Sequence, residues 1–269
     1  MADGVPGVLS PEERAARASS FGEAAAHYDR YRQGPPAAAV DWILPEPVRT
    51  AVDLGAGTGA LARLLLERAD TVVAVEPDDR MRAVIEAGLP GVRAVAGRGE
   101  AMPLPDAGAD AVVASSSWHW MDPVPTLTEV ARVLVPGGTL AALWTGPDPT
   151  SPFMVQAQAV LADGIDPLRR EVARAVNERS TPVEALEIPP GLPFEQPERT
   201  VITWDVALTA DELIGLLGTF SWVILMDDDA RTRLLDTARR LLRDALGFEG
   251  GATVDVGYRS QVFKTHRHG

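Results

Sequence analysis

One segment constrains the chain more than any other: Val52-Asp53-Leu54-Gly55-Ala56-Gly57-Thr58-Gly59. The short apolar run Thr50 to Leu54 ends in alternating glycines, and a Leu- and Ala-rich stretch, Gly59 to Ala69, follows. The run reads as a buried strand and the stretch as a helix. Glycines at such a junction let the backbone turn tightly and approach a bound nucleotide closely. The alternation then continues. Thr71 to Val75, Val92 to Ala96, Asp110 to Ala114 and Thr139 to Trp144 read as further strands. Asp79 to Ala87 and Pro123 to Leu134 read as helices, the second with Asp122 as N-cap and Pro123 in its first turn. Strands and helices alternating at this pitch require right-handed crossovers and a parallel sheet.

Around this core, the reading divides the chain into four parts. Residues 1–34 form an N-terminal helical arm, with a helix over Phe21 to Arg32 ended by Gly34, Pro35 and Pro36. Residues 35–145 form the alternating core, entered through a helix over Ala37 to Leu44. Residues 146–197 are Pro-rich, with helical patterns at Phe153 to Ala162 and Asp166 to Glu178, and read as a helical cover. Residues 198–269 complete the sheet with strands at Arg199 to Val206 and Thr253 to Lys264; helices over Thr209 to Leu217 and Asp229 to Leu246 lie between them. The expected fold class is α/β: a Rossmann-like, seven-stranded, mostly parallel sheet with helices on both faces, plus the cover.

Composition narrows function. The formal net charge is −13 and the sequence pI about 4.8. A phosphate-neutralising face needs a surplus of Lys and Arg, so nucleic acid is not an expected partner. The absence of cysteine excludes disulfides, thiolate zinc sites and cysteine nucleophiles. The N-terminal residues lack the apolar core of a secretory signal, and no run reaches the roughly 20 apolar residues of a membrane span. A cytoplasmic protein, monomer or homodimer, acting on a small molecule is the expectation. The run Asp227-Asp228-Asp229 sits at a helix start, where acids cap free N–H groups and complement the dipole; it reads as a cap, and no metal site is expected.

The loop spacing is G-x-G-x-G, unlike the G-x-G-x-x-G of pyrophosphate binders, and Asp53 stands two residues before the first glycine. A carboxylate there would crowd a pyrophosphate but suits a cationic amino-acid moiety. Glu76, directly after the second strand, is placed to accept from both hydroxyls of a ribose. Together they indicate a nucleoside ligand.

The successive segments VDLGAGTG, VEPDDRM, AGRGEAMPLPD and ARVLVPGGTLAALW resemble the motifs of class I S-adenosylmethionine (SAM)-dependent methyltransferases of the "methyltransferase domain 11" type. The resemblance implies SAM as cofactor. It implies that Gly55, Ala56 and Gly57 pass along the methionine moiety and that Asp53 orients its amino group. Glu76 would take the ribose, Pro77 and Met81 would flank the adenine, and Gly99, Glu100 and Ala101 would lie across the ring. Where many relatives carry an Asp that accepts from the adenine amino group, this chain has Arg98, which cannot accept.

Ser115-Ser116-Ser117-Trp118-His119-Trp120-Met121-Asp122 follows the fourth strand, at the carboxyl edge where open parallel sheets bind ligands. It resembles the H-W-x-D segment of a subgroup that includes trans-aconitate methyltransferases. The resemblance places Ser116 at the cofactor and Trp118, His119 and Trp120 at the acceptor. It also implies that Tyr31 and Arg32 of the arm close over the SAM carboxylate. His119 is the only one of the four histidines on an expected active-site loop. It reads as a general base, as an anchor for the acceptor, or as a ring packed between two tryptophans. The leading function is methyl transfer to a small molecule, with O-methylation of a carboxylate or hydroxyl ahead of C- or N-methylation. A SAM-fold enzyme doing non-methyl chemistry such as a cyclisation, or a non-catalytic SAM-binding protein, are the alternatives.

Overall fold

Seven strands form one sheet in the order β3-β2-β1-β4-β5-β7-β6. The computed structural model describes residue 31 and residues 33–156, 185–219, 221–224, 226–247 and 251–269. The strands are β1 (Val48–Leu54), β2 (Ala69–Val75), β3 (Val92–Val95), β4 (Ala109–Ser115), β5 (Leu134–Pro147), β6 (Glu198–Thr209) and β7 (Thr253–His266). Strands β1 to β5 pair in parallel, and β7 runs antiparallel between β5 and β6. The expected fold class is therefore the observed one.

The parallel strands are apolar on both sides, as strands covered on both faces must be. Val52, Leu54, Val73, Val75, Val112, Ala114, Leu140 and Ala142 bury one face. Helix α4 (Pro123–Val133) covers it through Leu127, Val130 and Val133. Ala51, Val72, Ala74, Ala111, Val113, Ala141 and Leu143 bury the other. Helices α1 (Ala37–Ile43), α2 (Ala60–Leu65) and α3 (Asp79–Gly88) cover that side with Val40, Ile43, Leu61, Leu65 and Ile85. These two layers hold the β1-to-β4 carboxyl edge in place.

Three local differences from the sequence reading have identifiable causes. Helix α2 ends at Leu65, not Ala69, because Ala69 joins β2 opposite Val48, and the Val48 N–H bonds to Arg68 O. The turn Pro136-Gly137-Gly138 lies inside β5 as a bulge, where Leu134 pairs with Ala109 and Thr139 with Ala111. Gly137 has φ +78°, and backbone bonds from Gly137 N to Arg267 O and from Arg267 N to Gly138 O tie the bulge to the end of β7. Asp122 stands at the N-cap of α4 but its side chain makes no cap bond.

Helices α5 (Ala210–Gly218), α6 (Ser221–Ile224) and α7 (Asp228–Leu246) are inserted between β6 and β7, beyond the carboxyl edge of the sheet. They share a small core of Ile214, Leu217, Val223, Leu234, Ala238 and Leu241. Thr209 and Glu212 form a reciprocal capping box at α5, and Asp227 caps α7 through Ala230 N. Residues 157–184 of the cover, including the helical pattern Asp166 to Glu178, lie outside the described residues. The returning part, 185–197, lays Leu186, Ile188, Leu192 and Phe194 on the α4 side of the sheet. Among the described residues no helix is long and apolar enough to cross a membrane.

Candidate active site

The glycine loop is built by the end of β1. Gly55 and Ala56 N–H groups both donate to Val75 O, which folds the loop back over β2. Gly55, Gly57 and Gly59 have φ of +68°, +57° and +88°, a region that disfavours side chains. A Cβ on Gly55 would lie 2.6 Å from Ser117 Cβ, whereas one on Gly57 would meet no described atom within 4 Å. Gly55 thus packs inward and Gly57 borders open space.

Two buried acids face this loop. Asp53 is 1% exposed; one carboxylate oxygen accepts from Ala62 N, and the other, Oδ1, is buried with no partner among the described residues. Burial pushes its pKa up to about 7, against the Ala62 hydrogen bond and with help from the negative charge of Glu76. Glu76 accepts from Gly57 N at 2.9 Å and from Asp78 N at 3.0 Å. Burial also raises its pKa; the two amides and Arg82 oppose that. Arg82 in turn donates to Glu76 O and Pro77 O, fixing the turn after β2. Pro77 is exposed and Met81 is buried at the start of α3.

The loop after β3 closes the far side. Arg98 and Ala101 exchange backbone hydrogen bonds in a tight turn around Gly99 and Glu100. Glu100 Oε1 accepts from Asp122 N at 2.8 Å, so this acid caps the entry to α4. Arg132, on α4, donates to Met102 O, Leu104 O, Glu129 and Asp106, pinning the loop from behind. Met121 joins three segments: a Cβ on Gly99 would lie 2.6 Å from its Sδ, and one on Gly55 would lie 3.2 Å from its Cε. Sequence reasoning did not single out Met121, Ser117, Arg132 or Trp144. All four lie within quoted segments, Ser117 and Met121 in the stretch Ser115 to Asp122 and Arg132 and Trp144 in ARVLVPGGTLAALW, but nothing in the sequence marks their contacts.

Ser116 has φ +53°, a conformation unusual for a residue with a side chain, and its N–H bonds to Leu143 O. Ser117 Oγ donates to Leu54 O at 2.6 Å. These bonds turn the chain into a 3-10 helix over Trp118–Trp120. Trp118 is buried in the core, Trp120 half-buried and His119 exposed. Trp144 Nε1 donates to His119 Nδ1 at 3.3 Å, and the His119 and Trp120 rings lie 4.5 Å apart. Of the arm residues, Arg32 lies outside the described residues. Tyr31 packs its ring over Gly215 of α5, and Gly34 lies against Ala60 at the start of α2.

The acids and loops fit SAM. An ammonium can meet the orphaned Asp53 Oδ1, vicinal hydroxyls can meet the Glu76 carboxylate, and the open side of Gly57 leaves room for the chain between them. Asp53, Gly55, Ala56, Gly57, Glu76, Gly99 and Met121 line one region, as their shared contacts require.

Residues 52–142 match the family model described as "Methyltransferase domain". An uncharacterized methyltransferase of Mycobacterium tuberculosis is 38% identical over 223 residues, covering 83% of this chain and 85% of the relative. The malonyl-[acyl-carrier protein] O-methyltransferase of Methylococcus capsulatus is 33% identical over 134 residues, 45% of this chain and 48% of that one. Among solved structures, one reported as a type II methyltransferase from Anaeromyxobacter dehalogenans superposes with TM-score 0.54 at 26% identity, covering 88% of this chain and 98% of that one. With this sequence kinship and the sheet order on which it rests, the chain belongs to the class I SAM-dependent methyltransferases and is an enzyme of that family.

Proposed function

We propose that this methyltransferase transfers the methyl group of SAM to an oxygen of a small-molecule acceptor, a carboxylate or a hydroxyl. The observation that carries the reading is the exposed His119 ring at the carboxyl edge of β4, held by Trp144 of β5. An acceptor bound there would lie beside the glycine loop. Bound SAM supplies an already activated methyl group, so the chain's task is alignment and exclusion of water. Asp53 would hold the amino group and Gly55, Ala56 and Gly57 the methionine backbone. Glu76 would hold the ribose. Pro77, Met81, Gly99, Glu100 and Ala101 would flank the adenine, and Ser116 would border the sulfonium. Tyr31 and Arg32 would close over the carboxylate, and residues 146–197 would cover the acceptor. Trp118 and Trp120 would shape the acceptor pocket. The O-methyltransferase of Methylococcus supports oxygen as the methylated atom, and the −13 charge supports a small molecule over nucleic acid. The test is incubation with methyl-labelled SAM and a panel of carboxylic acids, phenols, alcohols and amines. Base-labile label on acids, or base-stable ether label, supports the reading; label only on carbon or nitrogen overturns it.

A further inference from the structure

Met121 touches both loops that frame the candidate cofactor site. A Cβ on Gly99 would lie 2.6 Å from its Sδ and 3.1 Å from its Cγ, and one on Gly55 would lie 3.2 Å from its Cε. Cγ, Sδ and Cε are consecutive atoms, so the thioether is clasped between the glycine loop and the Gly99 turn. The residue is 8% exposed. An unbranched thioether suits such an irregular gap.

The two glycines are required for different reasons. Gly55 has φ +68° and also meets Ser117, whose Cβ lies 2.6 Å from where its own would be. Gly99 has no left-handed φ, so its backbone admits a side chain. What excludes one is contact, with Met121 Sδ first and Thr126 Cγ2, at 3.0 Å, second. Gly99 is thus shaped by Met121.

Both ends of the Trp118–Trp120 turn rest on the same two loops. At its start Ser117 Oγ donates to Leu54 O, next to Gly55. At its end Met121 N donates to Trp118 O at 3.1 Å, and the following amide, Asp122 N, donates to Glu100 of the Gly99 turn at 2.8 Å.

We infer that Met121 is a positioning residue: its thioether spaces the glycine loop from the Gly99 turn and seats the Trp118–Trp120 turn on both, so that methyl donor and acceptor are held in one block. This rests on the SAM and acceptor reading above and adds the residue that sets its spacing. Close packing makes such a spacer stiff, and truncating it leaves a gap into which both loops can relax. Methyl transfer depends on alignment, so a small shift costs rate as well as affinity.

The first test needs no ligand. Tm is measured for the wild type, Gly99→Ala, Met121→Ala and the double variant. Gly99→Ala should lower Tm through its clash with Sδ, and Met121→Ala through the gap it leaves. In the double variant the new methyl group enters the space that Sδ vacates. Its Tm should lie roughly 2–4 °C above the value given by adding the two losses. Gly55→Ala should gain no such relief from Met121→Ala, because Ser117 still blocks it. Additive losses at Gly99 overturn the inference. The second test is calorimetry with SAM and S-adenosylhomocysteine at a temperature where every variant is folded. Met121→Ala should bind about tenfold more weakly, and Met121→Leu, which conserves volume, should recover most of the loss. With an acceptor that takes label in the panel above, Met121→Ala should also lose about ten- to a hundredfold in kcat at saturating SAM. Unchanged affinity or unchanged kcat in folded Met121→Ala would reduce the residue to core filling and defeat the proposal. Absence of SAM binding by the wild type would instead defeat the proposed function and leave the Tm result standing.

Discussion

The Gly57 amide donates to Glu76 Oε2 at 2.9 Å, joining the glycine loop to an acid nineteen positions further along the chain. The two features that suggested a nucleoside ligand in the sequence are thus in direct contact. A carboxylate oxygen has lone pairs to spare, so Glu76 can keep its amides and still accept from hydroxyls. Glu76→Ala should weaken SAM binding by about ten- to a hundredfold, from a hydrogen-bond contribution of roughly 1.5–3 kcal/mol. Calorimetry with SAM and with S-adenosylhomocysteine measures this; unchanged affinity would remove Glu76 from the site.

Gly55 and Gly57 separate folding from binding. Gly55→Ala adds a Cβ 2.6 Å from Ser117 at φ +68°, and should cost about 2–4 kcal/mol through overpacking and strain. Gly57→Ala carries only the strain, about 1–2 kcal/mol, but its methyl group enters the open side of the loop. Urea denaturation should find Gly55→Ala the less stable, while Gly57→Ala remains folded and loses SAM affinity. Tight binding by Gly57→Ala would show that the ligand does not pass there.

Asp53 predicts a pH dependence. Its folded pKa is raised from 3.8 to about 7, chiefly by burial. The protonated form is favoured by folding, so this contribution is fully present below about pH 4 and is lost as pH rises through 7. Glu76, also raised, acts in the same direction, and only a comparison isolates Asp53. Without ligand, the Tm of Asp53→Asn should gain on the wild type as pH rises from 4 to 8. Saturating SAM at pH 8 should reverse the order, because its ammonium then stabilises the ionised acid. A pH-independent difference would mean that Asp53 does not titrate in this range.

Arg132 holds the loop beneath Gly99 to Ala101 through Met102 O, Leu104 O and Glu129. Its guanidinium also holds the Glu129 carboxyl below the usual range. Arg132→Ala should destabilise the fold by about 2–3 kcal/mol, since it leaves several polar groups without their partner. The wild type's advantage is present above the ordinary carboxylate range and fades as pH falls through the folded pKa of Glu129. Denaturation curves at neutral and acid pH check both statements; equal stability of variant and wild type at neutral pH contradicts them.

Gly215 reports on the arm. Its missing Cβ makes room for the Tyr31 ring, 2.5 Å from where that atom would lie. Gly215→Ala should favour helix α5 by about 1 kcal/mol on propensity alone, yet displace Tyr31. SAM affinity is expected to fall severalfold with no loss in Tm. Unaltered affinity would separate the arm from cofactor binding.

The sheet was legible in the sequence because strands buried on both faces need continuous apolar runs, and Thr50 to Leu54, Thr71 to Val75 and Asp110 to Ala114 supply them. Gly55, Gly57, Gly59 and Glu76 were legible because a βα turn and a strand end are local features, fixed in place by chain distance alone. The sequence also carried the cap at Asp227, whereas Thr209, read there as the start of a helix, is its N-cap. Only the tertiary structure decided what depends on contacts between distant segments. Glu100 spends an oxygen on Asp122 N, Met121 wedges Gly55 against Gly99, and the helices after Thr209 stand as a cap on the sheet edge. The hydrogen bond from Trp144 Nε1 to His119 Nδ1 belongs to the same class: the two residues are 25 positions apart, and no periodicity or spacing records their contact.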